Sequence, residues 1–213
     1  MSTVVFDKTG TLTSGKLQVK DLINLAKKFK VPVPTAQQNF SDKELFRLAS
    51  LVEKNSSHPL AASIRSHLLE LFTEEDCQRE MSIADFKVKH GEGVECTLFS
   101  GAEKFRLSLG NEKLMAKREV DLTHNNLLQN IKELEELGRT VTVFTIDSTP
   151  RLLISLEEEH LAKEEASVVV RFLQQDLGLK VRMCTGDSEP SALRVAEHVG
   201  IPIENVTARA YPH

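Results

Sequence analysis

The sequence contains no tryptophan, one tyrosine and three cysteines, and these shortages narrow what the protein can be. Cys77, Cys96 and Cys184 are odd in number and include no Cys-x-x-Cys pair. That pattern predicts reduced thiols in a cytosolic setting and no structural zinc. No Gly-x-x-x-x-Gly-Lys-Ser/Thr segment occurs, which excludes a Walker-type phosphate loop.

The net charge is small, runs of like charge are short, and long apolar runs are also missing from the sequence. The net charge is -4 and the longest basic run is Lys27-Lys28-Phe29-Lys30, so the sequence does not favour a nucleic-acid binder. No stretch approaches the roughly 18 consecutive apolar residues of a membrane span, and the N-terminus lacks the apolar core of a signal peptide. We expect the chain as given to be soluble and monomeric. Its 213 residues, 40% of them hydrophobic, suffice for one large or two small domains.

A carboxylate follows the first apolar run of the chain. Asp7 comes directly after Val4-Val5-Phe6, and we predict a buried strand over residues 3–6. Because open parallel sheets bind ligands at the carboxyl ends of their strands, Asp7 is a candidate nucleophile for a phosphoryl group. The next residues are Lys8, Thr9, Gly10 and Thr11. The two threonines offer hydroxyl and N–H donors, and the glycine permits a sharp turn beside the phosphate. The alternative interpretation is a surface turn, since Asp, Gly and Thr all favour turns.

A second polar triplet, Thr185-Gly186-Asp187, follows a predicted strand over residues 179–184. If that strand lies beside residues 3–6 in one sheet, both loops meet in the same crevice at the carboxyl ends of the strands. As an isolated tripeptide this is a weak signal, because many strand-to-helix turns carry Gly-Asp. Its position after the Asp7 segment favours a functional interpretation.

The remaining patterns predict segments of a parallel α/β sheet on either side of an inserted antiparallel sheet. Ser41-Asp42-Lys43-Glu44 is a capping box that begins a helix, and Pro59 suits the first position of a second helix. Short β-like runs follow over residues 86–88, 94–99 and 105–109. We predict a helix over 122–137 closed by Gly138, and a hairpin of residues 140–146 and 152–156. Further helices are predicted over about 161–177 and over 190–199.

The segment Asp7-Lys8-Thr9-Gly10-Thr11-Leu12-Thr13 resembles the phosphorylation signature of the P-type ATPases. These ion pumps pass through an aspartyl-phosphate and belong to the wider haloacid-dehalogenase-like group. Related phosphatases usually carry a second Asp two positions after the nucleophile, as acid/base; here Thr9 stands there. The resemblance therefore implies an acyl-phosphate that persists long enough to drive a conformational change. It also implies ATP as the phosphoryl donor and an incomplete Mg²⁺ site at Asp7 and Thr9. Thr185-Gly186-Asp187 matches the same family, with Ser188 in place of its usual Asn.

The segment Glu53-Lys54-Asn55-Ser56-Ser57-His58-Pro59 narrows the resemblance to the heavy-metal-transporting P-type ATPases. That group carries a Glu and, five positions later, a His-Pro pair in its nucleotide domain. Glu53 and His58 match this spacing, whereas Ser57 stands where the family has Glu. A carboxylate can accept a hydrogen bond from the adenine amino group, and a His can stack on the ring. The alternative for His58 is a structural role at the helix entrance. The resemblance also implies nucleotide contacts at Gly91, Gly93, Gly110 and Asn111.

From this resemblance we expect an α/β fold. A partial Rossmann-like, haloacid-dehalogenase-type phosphorylation domain comprises residues 1–13 and 155–213. An inserted α+β nucleotide-binding domain, built on an antiparallel sheet, comprises residues 14–154. The family's Gly-Asp-Gly-x-Asn-Asp segment, which holds Mg²⁺, does not occur in this sequence, and Glu157-Glu158-Glu159-His160 stands where the family often has an Asp. We expect the chain to bind ATP and not to be fully catalytic.

Three other functions remain open beside a copper(I)-transporting ATPase of which this chain is the cytoplasmic part. The transported ion of such a pump could be zinc, cadmium or cobalt, since selectivity lies in membrane-helix ligands. A stand-alone haloacid-dehalogenase-type phosphatase would need Asp at position 9 and a terminal acidic motif. A noncatalytic nucleotide-binding module would leave the Asp7 segment without a purpose.

Overall fold

The computed structural model describes residues 2–54, 56, 59–72, 81–158 and 161–210. The chain divides into two compact units. The first unit comprises residues 1–18, 132–140 and 157–213, and the second comprises residues 19–131 and 141–156. In the described ranges no helix is long and apolar enough to cross a membrane. The functional names that we gave to two domains stay a prediction.

The first unit contains a three-stranded sheet. Its strands are β1 (Thr3–Asp7), β8 (Lys180–Cys184) and β9 (Val206–Thr207), in the order β1-β8-β9. Both pairings are parallel, with Asp7 opposite Cys184 and Cys184 opposite Thr207. The carboxyl ends of β1 and β8 therefore lie side by side, and the predicted pairing of these two strands is confirmed.

The predicted burial of β1 is wrong. Exposed and half-buried residues alternate along the strand, and the Val5 side chain is 59% exposed. The physical reason is its place in the sheet: among the described residues, β1 is an edge strand with a neighbour only on the β8 side. Only one face of the strand is partly covered, where the half-buried Phe6 packs against the core of this unit.

Two helices accompany this sheet, namely α6 (Ala166–Arg171), continued by a wider turn over Phe172–Asp176, and α7 (Glu189–Val199). The predicted helix over about 161–177 thus begins later, at Ala166. Before that start, the Lys163 N–H donates to the Leu12 carbonyl at 2.8 Å. The core of this unit consists of Leu12, Ala166, Val170, Val181, Met183, Ala192, Val195, Ala196, Val199 and Ile201.

The second unit contains the antiparallel architecture that the sequence predicts. Its six-stranded sheet has the order β2-β7-β6-β5-β4-β3, and β3–β4, β4–β5 and β5–β6 are antiparallel pairs. The strands are β2 (Leu17–Asn24), β3 (Met81–Lys89), β4 (Gly93–Ser100), β5 (Glu103–Gly110), β6 (Thr140–Ile146) and β7 (Thr149–Glu158). The predicted hairpin is present as β6–β7, with a turn shortened to Asp147-Ser148.

Helices lie between these strands along the chain. They are α1 (Leu25–Phe29), α2 (Asp42–Glu53), α3 (Pro59–Leu69), α4 (Glu112–Lys117) and α5 (Leu127–Glu136). The Ser41 hydroxyl accepts from the Glu44 N–H, and the Glu44 carboxylate accepts from the Ser41 N–H, so the predicted capping box begins α2. α2 packs on α3 and on β3, β4 and β5. Phe40 meets Phe105 edge to face, with ring centroids 5.6 Å apart.

One other prediction differs from the structure in this region. The helix predicted from residue 122 begins at Leu127, because Asn125 and Asn126 adopt left-handed φ angles of 44° and 64° that interrupt a helix. Gly138 follows its end, as predicted, with φ of 78°. Cys96 and Cys184 are free thiols, whereas Cys77 lies outside the described residues.

Candidate functional site

Asp7 lies at the end of β1 and begins a tight turn over Lys8–Leu12. Its carboxylate accepts from the Lys8 N–H at 2.8 Å, and the Thr13 N–H closes the turn on the Lys8 carbonyl at 3.0 Å. Within the turn Gly10 has φ of 77°, a left-handed conformation that favours glycine. A Cβ on Gly10 would have no atom within 4 Å, so open space lies beside this residue. Glycine is therefore favoured here by its backbone conformation and not by a lack of room for a side chain.

The Asp187 carboxylate connects the two loops at this edge of the sheet. Its Oδ2 accepts from the Thr9 hydroxyl at 3.0 Å and from the Thr185 hydroxyl at 2.9 Å, and lies 3.0 Å from Lys8 Nζ. We call the group formed by Asp7, Lys8, Thr9, Thr185 and Asp187 the Asp7–Asp187 site. Gly186, also predicted to belong here, is an exposed residue of the second loop.

The charge of Asp187 is maintained by these partners. Partial burial alone would raise the pKa of its carboxyl group, but the Lys8 ammonium and the hydrogen bonds from Lys8, Thr185 and Thr9 outweigh burial and lower that pKa below its ordinary value. A carboxylate that stays ionised can accept hydrogen bonds from the Thr9 and Thr185 hydroxyls at once. It thereby fixes the turn after Asp7 against the turn after β8.

Lys8 is the most buried member of the site, with 3% of its surface exposed. Its ammonium also donates to Glu158 Oε1 at 3.1 Å and to the Ser191 hydroxyl at 3.1 Å. Sequence reasoning missed Glu158 and Ser191 as partners, because these contacts join residues 150 and 183 positions apart and no local pattern indicates them.

Thr11 and Lys163 mark the other side of the turn. Lys163 Nζ donates to the Gly10 carbonyl at 2.9 Å, which stabilises the turn from outside. Thr11 lines a small cavity of about 140 Å³ with Phe6, Leu12, Lys163, Glu165, Ala166 and Val169. The structure therefore places Thr11 within the turn after Asp7, and in the described part of the chain its hydroxyl makes no hydrogen bond to the Asp7–Asp187 site.

In the second unit, four of the predicted nucleotide residues lie together. Gly93 and Gly110 are directly paired across β4 and β5. The Asn111 side chain donates to the Gly91 carbonyl at 2.9 Å, and the Asn111 N–H donates to the Glu92 carbonyl at 2.9 Å. We call Gly91, Gly93, Gly110 and Asn111 the paired-glycine turn. Asn111 also caps α4, since its Oδ1 accepts from the Lys113 and Leu114 N–H groups.

Glu53 lies at the last residue of α2 and is 4% exposed. Burial raises the pKa of its carboxyl group to about 7, and a hydrogen bond with Ser56 opposes that rise. Among the described residues no hydrogen bond or ion pair joins the Glu53 side chain to the paired-glycine turn. His58 lies outside the described residues, as do Ser57 and His160, where the sequence departs from the family pattern. The predicted nucleotide contacts of Glu53, His58 and the paired-glycine turn stay predictions.

Metal ligands are sparse in what the structure describes. No group of three or more His, Cys, Asp or Glu side chains comes together there in a way that could hold a metal ion. The Asp7–Asp187 site offers two carboxylates, and Mg²⁺ is commonly held by one or two carboxylates together with phosphate oxygens and waters. The residues present thus fit a metal that arrives with a phosphate ligand, and they do not form a closed cation site.

A family model places the chain among known proteins. The model described as haloacid dehalogenase-like hydrolase matches residues 1–211, a range that contains both loops of the Asp7–Asp187 site. The chain belongs to the haloacid dehalogenase-like hydrolases.

Curated relatives of this hydrolase-family chain confirm its resemblance to the P-type ATPases. It is 30% identical over 212 residues to a copper-exporting P-type ATPase of Bacillus subtilis (strain 168), covering 100% of the chain and 23% of the relative. It is 27% identical over 201 residues to a copper-exporting P-type ATPase of Staphylococcus haemolyticus (strain JCSC1435), covering 94% and 21%. The chain therefore spans less than a quarter of the length of these relatives.

Solved structures confirm the fold. A zinc-transporting PIB-type ATPase in its E2.Pi state matches with a TM-score of 0.55 and 24% identity, over 98% of the chain and 29% of that structure. The catalytic domain of the CPx-ATPase CopB-B, studied upon nucleotide binding, matches with a TM-score of 0.59 and 18% identity, over 99% and 62%. The predicted fold class of the chain, a haloacid-dehalogenase-type fold with an antiparallel insert, is confirmed.

Proposed function

We propose that this chain is the nucleotide-binding and phosphorylation region of a heavy-metal-translocating P-type ATPase, facing the cytoplasm in an otherwise membrane-embedded transporter. The observation that supports it most is the convergence of Asp7 and Asp187 at the carboxyl ends of two adjacent parallel strands. Copper(I) is the proposed cargo, because the curated relatives named above are copper exporters. Zinc, named for one structural neighbour, is the second candidate.

The proposed reaction is phosphoryl transfer from ATP to Asp7. A carboxylate oxygen of Asp7 forms a bond to the γ-phosphorus while the bond from that phosphorus to the β–γ bridging oxygen breaks, and ADP leaves with that oxygen. Asp7 and Thr9 would hold Mg²⁺, which neutralises charge on the phosphoryl oxygens when bound. The open space beside Gly10 leaves room for the incoming phosphoryl group.

The neighbours of Asp7 favour a lasting acyl-phosphate over rapid hydrolysis. Thr9 donates its hydroxyl proton to Asp187 and carries no carboxylate, so it is a poor base for activating water. Asp187 is occupied by Lys8, Thr9 and Thr185 and is held ionised. The lack of a carboxylate at position 9 distinguishes the proposed transporter from a stand-alone phosphatase of the same family.

The paired-glycine turn and Glu53 are the proposed adenosine contacts of the second unit, together with His58. A Cβ on Gly91 would meet nothing within 4 Å, so the backbone is accessible there, and the Asn111 side chain fixes this residue by donating to the Gly91 carbonyl. We expect the isolated chain to bind ATP with weak dependence on Mg²⁺ and to hydrolyse it far more slowly than a pump.

Labelled ATP tests this proposal in the intact transporter. Asp7 should form an acid-stable, hydroxylamine-sensitive phosphoenzyme, and Asp7→Asn should abolish it. Phosphoenzyme that persists in the Asn variant would assign the nucleophile to another residue. Rapid ATP turnover by the isolated chain would instead favour the phosphatase.

A further inference from the structure

The ammonium of Lys8 has a complete set of acceptors. Its three N–H groups are matched by Glu158 Oε1 at 3.1 Å, Asp187 Oδ2 at 3.0 Å and Ser191 Oγ at 3.1 Å. Lysine has three donors and no acceptor, so these contacts use its whole hydrogen-bonding capacity. With a side chain only 4% exposed, Lys8 is held as a fixed cation and not as a mobile surface charge.

Glu158 is an unusual partner, because within the described part of the chain its carboxylate has a hydrogen bond to Lys8 and to no other residue. Its side chain is 14% exposed, and its second oxygen, Oε2, is buried without a hydrogen-bond partner among the described residues. A buried carboxylate is costly unless it is paired with a cation. The interaction with Lys8 is therefore what keeps a charged Glu158 in this position.

The preceding residue, Glu157, has a different environment although it has the same side chain. Its carboxylate lies 3.4 Å from Arg194 Nη2 and 4.0 Å from Arg139 Nε, and its side chain is 29% exposed. Successive residues of a strand point to opposite faces, which separates Glu157 from Lys8. The structure thus distinguishes two acidic residues that the sequence Glu157-Glu158-Glu159 leaves equivalent.

We propose that Glu158 is a positioning residue that holds the Lys8 ammonium beside Asp187. Without the Glu158 carboxylate, one N–H of Lys8 loses its acceptor, and the ammonium is free to turn toward the other carboxylates of the crevice, Asp7 included. Any effect of Glu158 on phosphoryl transfer to Asp7 rests on the proposed function. The positioning of the Lys8 ammonium by Glu158 is independent of that function.

Hydrogen exchange of the Lys8 ammonium measures this directly. In the ¹⁵N-lysine-labelled chain, the Lys8 ammonium resonance should exchange with water at least about tenfold more slowly than those of surface lysines. Glu158→Ala should bring its exchange to the surface rate, and Glu158→Gln, which keeps an acceptor oxygen, should restore most of the slow exchange. Glu157→Ala is the matched control and should leave Lys8 exchange unchanged.

Several results would overturn the proposal. One is a Lys8 ammonium that already exchanges as fast as surface lysines in the unmodified chain, a measurement that needs no variant to fold. Another is an unchanged rate in folded Glu158→Ala, and a third is an equal effect of Glu157→Ala.

A second readout separates this proposal from the proposed function. With labelled ATP and Mg²⁺ as the probe in the intact transporter, phosphorylation of Asp7 should be about tenfold slower in Glu158→Ala than in the unmodified transporter, with partial recovery in Glu158→Gln. If the unmodified transporter takes up no phosphoryl group at Asp7, the proposed phosphorylation is contradicted. The ammonium measurement still decides the role of Glu158.

Discussion

Gly93 and Gly110 face each other across β4 and β5, and neither position has room for a side chain. A Cβ on Gly93 would lie 2.2 Å from the Leu109 carbonyl oxygen, and one on Gly110 would lie 2.3 Å from the Glu92 carbonyl oxygen. Both obstacles are backbone atoms, which cannot move as the end of a flexible side chain can. The pair is therefore required by the close approach of two strands, whether or not a nucleotide binds there.

Gly110→Ala should destabilise the second unit strongly for this reason. Inserting a methyl group into a packed backbone contact costs roughly 1–3 kcal/mol, and we expect the upper part of that range. Gly91→Ala is the matched control: a Cβ there meets nothing within 4 Å, and its φ of 70° should cost only about 1 kcal/mol. Urea unfolding of both variants measures the difference, and equal losses would contradict the backbone clash.

Asn111 has two separable roles in the same turn. Asn111→Ala should cost about 1–2 kcal/mol, because it removes the cap of α4 as well as the hydrogen bond to the Gly91 carbonyl. Asn111→Asp keeps the capping acceptor but cannot donate to Gly91, so its loss should be smaller. Unfolding free energies of the two variants test this order, and a fully stable Asn111→Ala would show that the cap contributes nothing.

The sequence predicted the Asp7–Asp187 site because both of its loops follow strands. Once β1 and β8 are neighbours in a parallel sheet, their carboxyl ends must meet, and the two motifs come together without further information. Lys8 illustrates the limit of that reasoning. Its partners Glu158 and Ser191 depend on how β7 and α7 approach the turn, and nothing in the residues next to Lys8 specifies that approach.

The segment that sequence reasoning left unassigned, residues 14–40, contains β2 and α1. Strand β2 places Asp21 beside Ser155 of β7, where the Ser155 hydroxyl donates to the Asp21 carboxylate. Asp is uncommon in strands, so the sequence around Asp21 indicates a loop unless the hydrogen-bond partner of its carboxylate is known. Helix α1 is only Leu25–Phe29, too short for helical periodicity to indicate it.

Asp187→Asn should reduce stability at neutral pH by about 1 kcal/mol, because it removes one carboxylate from Lys8 and the side chain is partly exposed to solvent. The pKa of Asp187 is lowered in the folded chain, so its contribution is present above the ordinary value of 3.8 and is lost as pH falls through the lowered value. The difference between the two proteins should therefore shrink below about pH 4. Asp176→Asn, at an exposed position, is the control in the same unfolding series, and a difference independent of pH would contradict the assignment.

His58→Gln tests the nucleotide signature. If His58 stacks on adenine, the substitution should weaken ATP binding by roughly 1–2 kcal/mol, the worth of one stacking or charge-assisted contact. Calorimetric titration of the chain with ATP measures it. His198→Gln, an exposed histidine of α7, is the control and should leave the affinity unchanged. Unchanged affinity in a folded His58→Gln chain would assign His58 a structural role.

Glu53 should make the second unit less stable as pH rises. The pKa of its carboxyl group is raised from 4.5 to about 7, so between these values the folded chain binds more protons than the unfolded chain. The free energy of unfolding then falls with increasing pH across this window and levels off above pH 7, a loss of up to about 3 kcal/mol. Its cause is the cost of ionising a carboxyl group that is 4% exposed and that, within the described part of the chain, has the Ser56 hydrogen bond to oppose the loss of hydration.

Glu53→Gln should remove that slope, because the amide does not ionise. Urea unfolding between pH 5 and pH 8 should show the variant more stable than the unmodified chain at pH 8 and closer to it at pH 5. Glu136→Gln, on the exposed side of α5, should keep the slope of the unmodified chain. A Glu53→Gln chain that still loses stability with rising pH would attribute the effect to another group. If the slope disappears while ATP affinity also falls, the buried carboxyl group acts in nucleotide binding as well as in the pH dependence of folding.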